Sequence, residues 1–444
     1  MSNKVNLRSI NRLAIPATIA GIAEPVLSIT DTAVVGNIPV DGVESLAAVG
    51  IVGSFLSMLI WILGQTRSAI STIISQYLGA GKLSEVKSLP AQAIFFNILL
   101  SLLVLIGTIF IIEDIFRLFN ASGKILEFCV SYYGIRVWGF PLTLFTFAVM
   151  GIFRGLQNTF WPMVIAAVGA ILNIILDFAL VYGVADLIPA MHLEGAAWAS
   201  LIAQGVMAIM AIILIIQKTE IPLVLKRPVH PEMGRLIKMA LNLFVRTVAL
   251  NIALIMAVRE ATALGDRYIG AHTIAINLWL FTAFFIDGYS AAANSMSGKL
   301  LGAEDYKGLW TLAKKTVKYG MLVSLVLMVA GAVFYVPLGQ LFSTDTAVLS
   351  SFYAVFFIVI LGLPMNTIAF VFDGIFKGLG EMRFLRDVLL AATFFGFIPA
   401  LYIGLYFDLG LHGIWIALTV WMLIRSIAPV SKFRRKFRPL LQKT

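Results

Sequence analysis

Three side chains in the first half of the chain stand out by type and spacing. Asp31 lies in an apolar run, while Asn173 and Asp177 are four residues apart and share one face of any helix that carries them. If Asp31 meets that face, two carboxyl groups share a low-dielectric interior where both do not readily ionise, and one can exchange a proton reversibly. The same oxygens, joined by the Asn173 amide carbonyl and a hydroxyl such as Ser200, also form a donor set for sodium. In the second half, Asp287 and Asp373 are each followed by glycine. They are candidates to contact a cargo or to form a neutralised pair with Arg246. Glu24, Arg67 and Arg136 read as structural or interfacial. One cysteine (Cys129) and four scattered histidines (His192, His230, His272, His412) give no disulfide, zinc or haem set. No structural metal is expected.

The elements that must position these groups follow from composition. Of 444 residues, 60% are apolar and 13% charged, with a mean hydropathy of +0.95. Soluble domains run at about 45–50% apolar and about 25% charged, so a soluble enzyme, a disordered chain and a disulfide scaffold are excluded. Charge-free stretches such as Ala91–Ile112, Gly195–Gln217 and Tyr319–Thr344 are each long enough to span a bilayer. Twelve helical spans are expected, centred at about residues 25, 62, 101, 140, 171, 205, 247, 285, 325, 362, 396 and 420. What is left is too short for a separate soluble domain. The basic N-terminus runs on through Glu24 and Asp31 without a cleavage site and reads as a retained first helix.

Lys and Arg are retained on the cytoplasmic side. The tails and even loops hold 26 of the 33, and the odd loops only Arg117, Lys124, Arg259 and Arg267. Both termini are expected to be cytoplasmic in a multi-pass protein of a bacterial or archaeal type cytoplasmic (inner) membrane. The net charge of +10 fits anionic lipid, with no module for nucleic acid. The three bases left inside spans are Arg67, Arg136 and Arg246.

The chain repeats itself. At an offset of 223, Leu78-Gly79-Ala80 pairs with Leu301-Gly302-Ala303, and Gly139–Thr159 pairs with Gly362–Met382 with eight identities in 21 positions. Six spans per copy return the chain to the same side, so the copies are parallel repeats. The expected architecture is an all-α membrane protein of two pseudo-symmetric six-helix lobes around a central cleft. The lobes are residues 1–217 and 239–444, and residues 218–238 are a cytoplasmic linker. In the repeat register Asp31, Asp177, Asp287 and Asp373 face Leu254, Ala400, Gly64 and Met150. That asymmetry favours function over scaffold. Pro16 and Pro25 remove ladder hydrogen bonds from the first span, so its bend can be linked to the charge state of its carboxylates.

The runs Asp31-Thr32-Ala33-Val34-Val35-Gly36, Leu78-Gly79-Ala80-Gly81, Arg154-Gly155-Leu156-Gln157-Asn158-Thr159, Leu172-Asn173-Ile174-Ile175-Leu176-Asp177 and Asp373-Gly374-Ile375-Phe376-Lys377-Gly378 together resemble the multidrug and toxic compound extrusion (MATE) transporters, in particular the DinF-like branch. The resemblance covers nearly the whole chain. It implies a first-lobe cation or proton site of Asp31, Asn173, Asp177 and Ser200, with Pro16 where the first helix bends. Two departures concern the second lobe. No acid occupies the middle of span 7, where the NorM-like branch carries a sodium-coupled glutamate, and Asn294 stands where DinF-like chains often have an acid.

The expected function is secondary active antiport by alternating access. Drug-like organic cations and amphipathic compounds would leave in exchange for protons, or for sodium held at Asp31, Asn173 and Asp177. Membrane lipid is the expected surroundings, a monomer the expected state, and no cofactor beyond the coupling ion is needed. No Walker A run is present, and no nucleophile or metal set suggests an enzyme. The alternative is a flippase of lipid-linked saccharide precursors. It calls for a basic cavity, which three scattered bases would not supply.

Overall fold

A computed structural model describes residues 5–39, 41–184 and 187–442, without the side chains of Glu24, Ser28 and Gln442. The described chain is helical throughout, apart from a single bridge between Val184 and Ile188. Ten helices are long and apolar enough to cross a bilayer, and two further pairs joined at a bend bring the number to twelve. In order these are α1 Leu7–Gly36, α2 Gly42–Gly79, α3 Leu83–Ile109, α4 (Gly123–Arg136 with Gly139–Gly155), α5 Phe160–Val181 and α6 His192–Lys218. The second set is α7 Glu232–Ala263, α8 Asp266–Gly302, α9 Tyr306–Phe342, α10 (Thr346–Leu361 with Leu363–Gly378), α11 Met382–Tyr406 and α12 Gly410–Leu441. Every centre expected from hydropathy falls inside its span.

The 223-residue repeat is visible in the geometry. The bent pairs start at Gly123 and Thr346 and end at Gly155 and Gly378, with bends of 46° and 49°. Each bend has the same cause: Pro141 and Pro364 open the second arm and cannot donate to the carbonyls of Val137 and Ile360. Other distortions follow the same rule. In α9 Phe334 leaves helical geometry (φ −104°, ψ 17°) three residues before Pro337. In α11 the turn Ala392–Phe397 widens to π geometry just before Pro399.

The shared motif Gly-Ile-Phe-basic-Gly has a packing role. A Cβ at Gly151 would run into the Arg67 backbone and one at Gly155 into Ile74. The equivalents at Gly374 and Gly378 would meet the carbonyls of Ser290 and Asn294. Glycines four apart thus let the second arm of α4 touch the backbone of α2, and that of α10 the backbone of α8. Gly378→Ala is expected to destabilise the fold by about 1–3 kcal/mol through overpacking, read as an earlier thermal loss of the monodisperse peak in detergent.

The chain forms two compact units, one of residues 19–77 with 82–237 and the other of residues 1–18 with 78–81 and 238–444. The core of the first is built around Val35, Val52, Phe55, Phe116, Tyr132 and Tyr133. In the second, one core gathers Trp421, Phe352 and Phe397, and another packs Ile10, Leu13 and Ala14 against Tyr289, Phe372 and Phe437. The start of the chain is also held there by polar contacts. Lys315 Nζ donates to the Val5 carbonyl at 2.7 Å, and Tyr289 Oη to Asn11 Oδ1 at 3.2 Å. The connection from α6 to α7 is pinned to α3, because Gln92 donates to the Lys226 carbonyl (2.8 Å) and accepts from His230 N (2.8 Å). α7 begins at Glu232, inside the segment read as linker.

Candidate functional site

On α5 the buried positions are Pro162, Ile165, Ala166, Gly169, Ala170, Asn173, Asp177 and Val181, a helical stripe that carries both polar groups inward. α6 meets it with small residues, Ala196, Ala197, Ser200 and Ala203, and a Cβ at Gly195 would strike the α5 backbone at Leu180. The end of α1 is fastened to the end of α5 by Tyr182 Oη, which donates to the Val34 carbonyl at 2.6 Å. One turn back on α1, Asp31 is thereby buried (7% exposed), and Asp177 is fully enclosed.

The two carboxyl groups lie within hydrogen-bonding reach of each other. Asn173 Nδ2 donates to Asp177 Oδ2 at 3.3 Å. Among the described residues of this unit, five buried side-chain oxygens have no hydrogen-bond partner: Asp31 Oδ1, Asp177 Oδ1, Ser200 Oγ and Gln204 Oε1, together with Ser71 Oγ on α2. Buried acceptors left unsatisfied are costly, and a proton or a small cation is the natural complement of such a set. Asp31, Asn173 and Asp177 are brought together as the sequence suggests. Ser200 is buried on the facing helix but makes no hydrogen bond to either carboxyl.

Two further side chains belong here. Arg136, on the first arm of α4, acts electrostatically on Asp177, and Tyr132, one turn before it, feels the charge of both carboxyls; the Arg136 guanidinium stands 5.7 Å from the Tyr132 ring centre. From sequence, Arg136 reads as structural or interfacial. The i, i+4 spacing of a tyrosine and an arginine inside an apolar span was the available signal.

α1 is helical through both Pro16 and Pro25. The boundary between the two units crosses α1 after Thr18, two residues beyond Pro16.

In the second unit Asp373 accepts from Arg246 Nη2 at 2.5 Å and pairs with Lys377 Nζ at 2.9 Å. Asp287 does not join them. The buried stripe of α8 runs through Ile286, Gly288, Tyr289 and Ser290, so Asp287 points away from it and is exposed. Among the described residues it has no ion pair with Arg246. The inventory of buried bases also changes. Arg425 is 5% exposed and the Lys377 side chain 13%, so three cations surround Asp373. Arg425 escapes a hydropathy reading because α12 continues straight through it into the basic run Lys432–Arg438.

Comparison with known proteins bears on the fold and the family. DNA damage-inducible protein F of Escherichia coli is 26% identical over 435 residues, which cover 96% of this chain and 92% of that protein. Protein DETOXIFICATION 43 of Arabidopsis thaliana is 26% identical over 302 residues, and the chain spans 56% of that longer protein and is covered over 68% of its own length. A crystal structure of MATE in the bent conformation superposes with a TM-score of 0.90 at 20% identity, over 98% of this chain and 96% of that one. The MatE family model matches residues 16–179 and 239–405, one stretch in each half. Twelve apolar spans, a duplicated bent helix and these matches place the chain in the MatE family, that of the multidrug and toxic compound extrusion transporters.

Proposed function

We propose that this protein exports organic cations and other amphipathic compounds by secondary antiport, with the Asp31–Asp177 pair as the site that takes up and releases the coupling ion. The observation that carries the reading is the enclosure of two adjoining carboxyl groups whose Oδ1 atoms lack any partner. A proton shared by the pair is the preferred ion. Sodium, held by Asp31, Asn173 and Asp177, is the rival, and no other cofactor is needed. The passage of α1 from one unit to the other beside Pro16 supports a hinge there, since the missing N–H leaves the helix free to bend. Ion occupancy would then bias one of two conformations by its differential affinity for them. The distribution of Lys and Arg supports cytoplasmic termini and an inner-membrane location. The chain is read as a transporter, acting as a monomer, rather than as a catalyst.

Counting ions in proteoliposomes with pH and sodium gradients varied independently tests this reading. An inward proton gradient alone is expected to drive cargo exchange, with sodium without effect. Exchange driven by neither gradient would refute the coupling. The second reading, a flippase of lipid-linked saccharides, gains from the three bases around Asp373. A lipid-flipping assay in the same vesicles separates the two.

A further inference from the structure

The basic cluster of the second unit takes no part in the carboxyl pair, and its charges do not balance. Arg246 and Lys377 are both paired with Asp373. Arg425 has no ion pair among the described residues. Among the described residues its hydrogen bond is from Nη1 to Met422 Sδ at 3.1 Å, a weak acceptor, and its guanidinium carbon rests 4.4 Å from the Trp421 ring centre and 5.7 Å from that of Phe370. Three fixed cations thus surround one carboxylate, and a buried charge without a counter-ion is retained only against a large penalty. Arg246, Asp373 and Arg425 also line one shallow, partly open recess, walled by Ala369, Leu385 and Val388. A planar guanidinium fork beside a second one is the arrangement that binds carboxylate or phosphate oxygens in pairs.

We propose that this recess is an oxyanion-binding site, in which Arg425 and Arg246 receive the carboxylate or phosphate group of an amphipathic molecule while the aliphatic wall covers its adjoining carbons. The molecule is either cargo or a lipid headgroup. The site goes beyond the proposed cation exchange and requires neither Asp31 nor Asp177.

Full-length protein in phosphatidylcholine nanodiscs, titrated calorimetrically with hexyl phosphate and with hexyltrimethylammonium, tests the site. Hexyl phosphate is expected to bind, and Arg425→Met to weaken it by about tenfold or more through loss of a charge-assisted pair. Asp373→Asn removes the competing carboxylate and is expected to tighten it. A merely structural arginine and aspartate would not move affinity in opposite directions. The Asp31→Asn protein should bind the probe unchanged, so failure here and failure of the exchange mechanism are told apart. Binding that persists in phosphatidylglycerol nanodiscs marks a cargo site, and binding displaced by that lipid marks a headgroup site. Equal affinity in wild type and Arg425→Met, or no hexyl phosphate bound by the wild type in phosphatidylcholine, overturns the proposal. If Arg425→Met does not fold, wild-type protein that binds hexyltrimethylammonium as tightly as hexyl phosphate overturns it equally.

Discussion

Asp177→Asn protein, reconstituted in vesicles, is expected to fold and insert like the wild type yet lose gradient-driven export. Asparagine preserves the shape of the side chain, so what is removed is the capacity to hold a proton or a cation next to Asp31. One charge moved across 100 mV supplies about 2.3 kcal/mol, so a transporter that loses one coupled ion should see its steady-state cargo gradient fall by about fifty-fold at that potential. Thermal stability should not fall with it, because the variant removes a carboxyl with a bare buried oxygen. Asp31→Asn is expected to behave alike. The double variant should be no worse than either single one, as for any two groups that act as a unit. Full export by either single variant would remove the pair from the mechanism.

The spans, the repeat and the shared face of Asn173 and Asp177 were legible because each rests on a local signal: run length, self-similarity, or a four-residue spacing on one helix, whereas the approach of Asp31 to that face is a tertiary fact. What stayed hidden depends on azimuth and on partners. Asp287 and Asp373 look alike in sequence, each an acid before a glycine. On α8 the glycine faces the chain start at Ala14 and Thr18 and Asp287 is left exposed, whereas on α10 Gly374 packs on Ser290 and Asp373 stays enclosed. Arg425 sits seven residues before a basic run that reads as a tail, so hydropathy assigns it to the surface. Only the continuation of α12 past it, with Trp421 and Met422 on the same side, shows that it is buried. The division of α1 after Thr18 is likewise tertiary, since hydropathy sees one uninterrupted helix.

The cluster around Asp373 gives the other large effect, with two substitutions of opposite sign. Asp373→Asn leaves Arg246, Lys377 and Arg425 buried without a counter-charge, and removing one partner of a buried ion pair costs about 3–5 kcal/mol. The variant is therefore expected to melt far below the wild type in detergent. Adding Arg246→Met to it should recover part of the loss, because a well-packed apolar chain of similar length replaces one of the charges that no longer has a partner. Arg425→Met alone should move the other way. Its guanidinium already lacks an anion, so exchanging it for a thioether beside Trp421 should leave stability unchanged or raise it by about 1–4 kcal/mol. A residue that weakens the fold in which it sits is kept for something other than packing. If Arg425→Met instead melts well below the wild type, the arginine is structural, and its neutralisation must come from within the chain.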